Sequence, residues 1–387
     1  MVISIFTPTH DPTYLDEAYG SVLAQTYTDW EWIVLLNGDA AWEPIEPDDR
    51  IRVIRGETSG RVGAVKREAC SHARGEILLE LDHDDILTVD CLTMVAEAFT
   101  NPRCVFAYSD WTHVNADTSP NRDVFDDGMG WTYRADGDFL VCEAMAPTPH
   151  NLGYIWYAPN HVRAFHRDAY EAVDGYDPTL SVLDDQDLMT RLYQVGDFTH
   201  IPECLYLQRL HDGNTQRRAD VNPGIQTDTV TRYWDRITDL YRWWSEHNGL
   251  LVVDVSPDWV GGQMPADLEP DTIGLIHCKE RLQRVPDVAD FLDLCWTALA
   301  PGGLLATVTP STDGRGAFQD PTHTSYWNEN SFWYLTQTHL RERVYPDAKW
   351  RWQTSGIRTT WHDHQIGYVE ANLIAVKDGP RNGGPLL

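Results

Sequence analysis

Short apolar runs alternate with amphipathic stretches along the first 110 residues of the chain. Four of these runs are almost continuously apolar, as strands buried on both faces of a sheet are. They lie at residues 2–6, 30–36, 51–54 and 77–81. The stretches at 15–23 and 61–73 place apolar side chains three or four positions apart, which is typical of helices with one buried face. This alternation predicts βαβ units and a parallel sheet.

A second α/β pattern follows further along the chain. Residues 227–244 have the apolar spacing of a long helix, and a strand, a helix, a Pro-Gly-Gly turn and a further strand are predicted beyond residue 270. Residues 112–150 are polar and weakly periodic, so we expect loops and short elements there. The predicted organisation is an N-terminal domain at 1–220, a linking helix at 221–247 and a smaller, Rossmann-like α/β domain at 248–387.

The length and charge of the chain limit the classes of protein it can belong to. A chain of 387 residues with 42% apolar residues can bury two cores. Its 59 acidic and 30 basic residues give a formal charge of −29, which makes nucleic acid an unlikely partner. No apolar run is long enough for a membrane span, and no export signal is visible. Its seven scattered cysteines are typical of reduced thiols, so we predict a cytoplasmic protein.

Three aspartates follow the fourth predicted strand: Asp82, Asp84 and Asp85. Carboxylates this close together repel one another unless a cation lies among them. Mg²⁺ or Mn²⁺ suits such oxygen ligands and commonly bridges carboxylates to substrate phosphates. The alternative is a solvated acidic turn that caps the following helix.

Polar residues also follow the other predicted strands of this region. They are Pro8, Thr9 and His10 after the first strand, Asn37, Gly38 and Asp39 after the second, and Arg61 at a helix start. Because the carboxyl ends of parallel strands share one edge of a sheet, these residues converge with the aspartates. The pattern favours a pocket for a nucleotide diphosphate.

The order SIFTPTHD, SVLAQTYTDWEWIVLLNGD, GRVGAVKREACSHARGEILLELDHDDIL resembles the family 2 glycosyltransferases, which have a GT-A fold. The resemblance spans residues 2 to about 215. It implies metal-dependent, inverting transfer of a sugar from a nucleotide diphosphate sugar, with a UDP-sugar favoured. Donor-binding residues implied by it are Thr7, Pro8, His10, Asn37, Asp39, Arg61 and Asp82. The family usually has Asp where Leu36 or Asn37 stands, and this departure leaves the identity of the base open.

The same resemblance implies the remaining site residues. Asp84 and His211 would hold Mn²⁺ or Mg²⁺, and Asp185, at a helix start in the run LDDQDLMTRL, would be the catalytic base. Asp184 would bind the acceptor, and Trp111 and Trp156 would stack on its sugar rings. The alternatives are an acidic helix start, a structural histidine and aromatic side chains that belong to the core.

Residues 272–335 are similar to the later half of class I S-adenosylmethionine-dependent methyltransferases. The glycine-rich turn of the first half is missing, so no S-adenosylmethionine is expected. We interpret this segment as a degenerate domain kept for packing, for a homodimer or for acceptor binding. The expected partners are a nucleotide-sugar donor and a glycan or other hydroxyl acceptor. A methyltransferase and a catalytically silent sugar-binding protein are the alternative functions.

Overall fold

The computed structural model describes residues 1–125, 130–155, 158–214, 222–255, 269–363 and 365–377. The chain forms two compact units. The first consists of Met1–Phe125, Trp131–Pro147 and Asn151–Thr229, and the second is built mainly from Val230 onward.

Strands and helices alternate through the first unit, as the apolar pattern predicts. Its elements are β1 (Ile3–Thr9), α1 (Leu15–Leu23), β2 (Trp30–Leu36), β3 (Ile51–Arg55), α2 (Val62–His72), β4 (Ile77–Glu80), β5 (Ile86–Leu87), α3 (Cys91–Ala98), β6 (Cys104–Asn115), β7 (Thr132–Asp136), β8 (Phe139–Glu143), α4 (Pro149–Tyr154), β9 (Arg163–His166), α5 (Arg167–Ala172), α6 (Asp184–Leu192) and β10 (Asp197–Leu210).

These strands form one mixed sheet with the order β3-β2-β1-β4-β9-β6-β10-β5. The first four strands in this order are parallel to one another, which confirms the predicted βαβ units. β9 is inserted antiparallel between β4 and β6. The first residue of β9 therefore lies at the same edge as the carboxyl ends of β1, β2 and β4. The core of the first unit contains buried apolar side chains from β1, β2 and β4 and from one face of α1.

The described part of residues 112–150 forms loops and short elements, as the sequence predicts. β6 continues to Asn115, and β7 and β8 form an antiparallel hairpin that pairs with β6 through Trp111 and Thr112. No position of β7 is fully buried, so this strand lacks the apolar alternation by which a strand is recognised in sequence.

The helix α7 (Asn222–His247) contains the predicted helix at 227–244. The second unit then has a five-stranded sheet of order β11-β12-β13-β15-β14. In this sheet β11, β12 and β13 are parallel to one another, and β15 is antiparallel to both of its neighbours, β13 and β14. Its elements are β11 (Leu251–Val255), β12 (Ile273–Lys279), α8 (Val288–Ala298), β13 (Leu299–Pro310), α9 (Glu329–Thr336), α10 (Thr338–Val344), β14 (Trp352–Trp361) and β15 (Gly367–Ala375). Within the described ranges, no helix combines the length and apolarity that crossing a bilayer requires.

Gly63 allows a close approach between α2 and the loop that precedes α6. Its N–H donates to the carbonyl oxygen of Leu180 at 3.0 Å, and a Cβ at this position would collide with the carbonyl oxygen of Asp177. We expect Gly63→Ala to lower the free energy of unfolding by about 1–3 kcal/mol, as overpacking does. Urea denaturation measures this loss.

The matched control is Gly20→Ala, in α1. A Cβ on Gly20 meets no atom within 4 Å, and alanine favours a helix more than glycine does. This variant should be at least as stable as the parent. Equal stability of the two variants would contradict a tight contact at Gly63.

Candidate active site

A cleft of ≈ 680 Å³ opens at the edge of the first sheet. The loops after β1, β2 and β4, the starts of α2 and α6, the first residue of β9 and the end of β10 contribute to its wall. The structure thus brings most of the predicted site residues together, while their roles stay predictions. Those that line the cleft are Pro8, His10, Asn37, Arg61, Asp82, Asp84, Asp184, Asp185 and His211.

Asp84 and His211, the predicted metal ligands, contact one another. The Nε2 atom of His211 lies 2.8 Å from Oδ2 of Asp84, and Asn214 donates from Nδ2 to the same oxygen at 3.2 Å. Both predicted ligands are partly exposed to the cleft. Their oxygen and nitrogen atoms suit Mn²⁺ or Mg²⁺, so the chemistry of this pair fits a divalent cation.

A second group of possible metal ligands consists of Asp82, Asp85 and His161, whose ligand atoms all lie within 4.8 Å of one another. His161 lies 3.4 Å from Asp82 and stacks on Tyr206. Burial opposes the ionisation of Asp82, but the hydrogen bond and charge of His161 outweigh it and hold the pKa of Asp82 well below its usual range. Burial, reinforced by the neighbouring Asp84 and Asp82, raises the pKa of Asp85 well above its usual range.

His161 cannot be recognised from the sequence as part of this group, because no spacing links it to the aspartates. It lies next to them because β9 runs antiparallel beside β4.

The buried Arg209 fixes the conformation of the aspartate loop. Its backbone N–H donates to Asp85, and its Nε donates to the carbonyl oxygen of Asp84, both at 2.7 Å. Its Nη2 pairs with Glu17 at 2.6 Å, and its guanidinium lies over the ring of Tyr14. Since Arg209 has no exposed surface, it acts as a structural support and not as a contact for substrate.

A second set of charges lies at the start of α6. The Nζ atom of Lys66 pairs with Glu80 at 2.6 Å and with Asp184 at 2.9 Å, and Tyr176 donates its hydroxyl hydrogen to Glu80 at 2.9 Å. All four side chains are buried. Burial raises the pKa of Asp184 to about 6, although the charge of Lys66 opposes the rise.

Asp185, the predicted base, has a different environment from its neighbour Asp184. Its carboxylate is 19% exposed, against 7% for Asp184, and it pairs with Arg163 at 2.8 Å. Burial opposes its ionisation, but the charges of Arg163 and Lys66 outweigh this and lower the pKa of Asp185 below its usual range. Asp185 is therefore the more accessible of the two carboxylates and the one with the lower pKa.

Some of the donor-binding residues predicted from sequence line the cleft, and others lie outside it. Asn37 lines the cleft, and among the described residues its buried Oδ1 has no hydrogen-bond partner. Arg61 precedes the first residue of α2 and is exposed. Asp39 is exposed but does not line the cleft. Thr7 is fully buried, and its hydroxyl accepts a hydrogen bond from the indole of Trp32 at 2.9 Å, so a direct contact of Thr7 with the donor does not agree with the structure.

The acceptor-stacking role predicted for Trp111 does not agree with the structure either. Its side chain has no exposed surface and packs in the core against Phe125 and Trp131. A ring enclosed in this way cannot stack on a sugar. Trp156 lies outside the described residues. Asp184 lines the cleft but is engaged by Lys66.

The fold and the cleft define an α/β protein that gathers charged side chains at one edge of a mixed sheet, which is where open α/β sheets bind ligands. Residues 4–156 match the model of the family described as Glycosyl transferase family 2. The chain therefore carries a family 2 glycosyltransferase domain in this region. The predicted fold class, a GT-A domain with a smaller α/β domain after it, is confirmed.

Several curated relatives, among them the two that follow, match the chain over more than half of its length. The O-antigen biosynthesis protein RfbC of Myxococcus xanthus is 26% identical over 242 residues, which are 60% of this chain and 17% of that protein. The hyaluronan synthase of Pasteurella multocida is 24% identical over 260 residues, which are 62% of this chain and 25% of that protein. The chain thus spans a quarter or less of the length of these relatives.

A solved structure, that of S. aureus TarS 1-349 in complex with UDP-GlcNAc, has a TM-score of 0.46 and 17% identity, over 64% of this chain and 72% of that chain. The resemblance of residues 272–335 to methyltransferases lies outside the residues that the family model matches, and it stays a prediction.

Lys66 offers a test of the buried charges. Its removal leaves Glu80 and Asp184 without their shared cation, so we expect Lys66→Met to lower the free energy of unfolding by about 3–5 kcal/mol. The adjacent Arg67→Met breaks an ion pair with the exposed Asp174 and two hydrogen bonds to backbone carbonyl oxygens, and it should lower this free energy by less than Lys66→Met does. Urea denaturation compares the two variants.

The deficit in the free energy of unfolding of Lys66→Met, relative to the parent, should depend on pH. Without Lys66, the folded-state pKa of Asp184 rises still further above its unfolded value of about 3.9. A carboxyl group whose pKa is raised by folding stabilises the folded state while it is protonated, and this contribution is lost as the pH rises through the folded-state pKa. The deficit should therefore be smaller at pH 5 than at pH 8. A deficit that is independent of pH would contradict this account.

Proposed function

We propose that this protein is an inverting glycosyltransferase that moves a sugar from a UDP-sugar to an acceptor hydroxyl. The observation that carries the proposal is that one cleft of a family 2 glycosyltransferase domain presents both the Asp84–His211 pair and the accessible carboxylate of Asp185. The first can hold a cation beside a diphosphate, and the second can accept a proton.

The donor would lie against the loops that follow β1, β2 and β4. Asn37 lines the cleft, and its side-chain amide N–H can donate a hydrogen bond to a carbonyl oxygen of a uracil base. Arg61, at the start of α2, is placed to meet a phosphate. UDP-GlcNAc, which is bound in the TarS structure, is a reasonable first donor to test.

We propose Asp84 and His211 as the ligands of Mn²⁺ or Mg²⁺. They are more accessible than His161 and Asp85, which are buried against Tyr206 and Arg209. When bound, the cation would neutralise the charge of the diphosphate.

Asp185 would act as the general base. In a single displacement, the acceptor oxygen bonds to the anomeric carbon while the bond to the diphosphate breaks, and the bonding electron pair leaves with UDP. The acceptor proton passes to the Asp185 carboxylate, which must be ionised beforehand. Asp184 has the higher pKa and so the greater basicity, but Lys66 occupies it, and geometry takes precedence over basicity.

The acceptor is proposed to be a glycan. RfbC is named for O-antigen biosynthesis and the second relative for hyaluronan synthesis, so both names concern carbohydrate polymers. For the second unit, acceptor binding or formation of a homodimer remains our proposal.

The metal assignment is tested by thermal unfolding with UDP, with and without Mn²⁺. Asp84→Asn should remove the additional stabilisation that Mn²⁺ gives in the presence of UDP, because it removes a ligand charge. Asp39→Asn, which changes an exposed carboxylate outside the cleft, is the control and should keep that stabilisation. If Asp85→Asn abolishes the effect of Mn²⁺ and Asp84→Asn does not, the cation belongs to the group of Asp82, Asp85 and His161.

The base is tested with Asp185→Asn, which keeps the size of the side chain but cannot take up the proton. Turnover, measured as UDP release from UDP-GlcNAc or UDP-glucose with glycan acceptors, should fall by about 10²- to 10⁴-fold. The affinity for the UDP-sugar should hardly change, because the base faces the acceptor.

The control for this variant is Asp187→Asn, on the same helix. Asp187 pairs with Arg191 at 2.6 Å and does not line the cleft, so its substitution should leave turnover close to that of the parent. If the Asp185→Asn protein keeps the parental turnover, another residue is the base. Loss of donor affinity would place Asp185 among the donor-binding residues instead.

A further inference from the structure

Arg163 is a buried cation to which the proposed mechanism assigns no role. Its side chain is 6% exposed and lines the cleft at the first residue of β9. One guanidinium nitrogen, Nη2, lies 2.8 Å from Oδ2 of Asp185, and the other, Nη1, lies 3.7 Å from Oε1 of Glu80. The guanidinium therefore links the start of α6 to the end of β4.

The backbone fixes the place of this guanidinium. In the antiparallel pairing of β4 with β9, Arg163 stands directly opposite Glu80, the last residue of β4. Asp185 belongs to the first turn of α6. A rigid strand pair and a helix terminus thus hold the two ends of the ion pair, so the carboxylate has one preferred position.

The other charged groups around Asp185 already have partners. Lys66, from α2, is engaged by Glu80 and Asp184, and His161 pairs with Asp82. Among the residues that the structure describes, Arg163 is the one side chain that forms an ion pair with Asp185. Asp185 Oδ1 receives a hydrogen bond from the backbone N–H of Gln186 at 2.7 Å. Each carboxylate oxygen has two lone pairs, so capacity remains for an acceptor hydroxyl.

We propose that Arg163 is a positioning residue of the transfer reaction, which holds the Asp185 carboxylate in one orientation at the cleft through its ion pair. This inference rests on the proposed function, in which Asp185 is the base. Arg163 acts through Asp185 and need not touch the substrate. The planar guanidinium suits this role because it fixes direction as well as charge, which an ammonium group does less well.

The ion pair also predicts a change in pH dependence. Burial tends to raise the pKa of Asp185, and Arg163 is the largest of the opposing influences, ahead of Lys66. Without Arg163, the pKa of Asp185 rises. Since the base must be ionised, the acid limb of the pH–rate profile should move to higher pH in a variant that lacks this charge.

The test compares Arg163→Gln and Arg163→Lys with the parent, using UDP release from UDP-GlcNAc or UDP-glucose with glycan acceptors. For Arg163→Gln we expect kcat to fall by about tenfold or more, within the roughly 10²- to 10⁴-fold worth of the base, with KM for the UDP-sugar nearly unchanged. The acid limb should move to higher pH. Arg163→Lys keeps the charge, so it should return the acid limb towards that of the parent and recover part of kcat.

A double-mutant cycle separates positioning from a general structural effect. In an Asp185→Asn background, where there is no carboxylate to orient, Arg163→Gln should lower kcat little further. The control is Arg134→Gln, which breaks a 2.9 Å ion pair with the buried Asp110 outside the cleft. That variant should keep the parental kcat and pH profile.

The outcomes distinguish this inference from the proposed function. A parent protein that transfers no sugar from any UDP-sugar, in the presence of Mn²⁺, contradicts the proposed function itself. A parent that is active while Arg163→Gln keeps its kcat and pH profile overturns only the role of Arg163. Equal losses from Arg163→Gln in the parental and Asp185→Asn backgrounds also overturn it. If Arg163→Gln does not fold, the same cycle with Arg163→Lys decides, and full additivity rejects the proposal.

Discussion

The first unit depends on compensation of negative charge at one edge of its sheet. The last residue of β4, the loop after it and the start of α6 bring together Glu80, Asp82, Asp84, Asp85, Asp184 and Asp185. Three of these carboxylates, those of Glu80, Asp85 and Asp184, are buried, and buried carboxylates are costly unless they are paired or protonated. Four cations or histidines of the site each have a defined carboxylate partner, and Arg209 supports the loop; the four are Lys66, Arg163, His161 and His211.

This compensation gives neighbouring acids different properties. Asp184 and Asp185 are adjacent on α6, yet burial raises the pKa of the first, while the charge of Arg163 helps to lower that of the second. Asp82 and Asp85 diverge in the same way, because His161 contacts Asp82 whereas Asp85 is buried beside two other carboxylates. A site whose carboxylates differ in pKa can hold a cation and accept a proton in one cleft.

The overall charge of −29 says little about these interactions, because the cations that matter are few and specifically placed. Lys66 is one of four lysines in the chain, and it is buried between two carboxylates. Arg163 and Arg209 are likewise buried, although most arginines of proteins are exposed. These three buried basic residues therefore serve as internal partners of the site.

The sequence by itself determined the βαβ pattern, the aspartates at the end of β4 and the acidic start of α6, because strand ends and helix starts leave local signals. Asp84 and His211 are in contact, and their role as metal ligands stays a prediction. The tertiary structure alone decided that Trp111 lies in the core, that Thr7 is turned towards Trp32, and that His161 and Arg163 belong to the site. The physical reason is the antiparallel insertion of β9 beside β4, which joins segments some 80 residues apart in a register that no local pattern specifies.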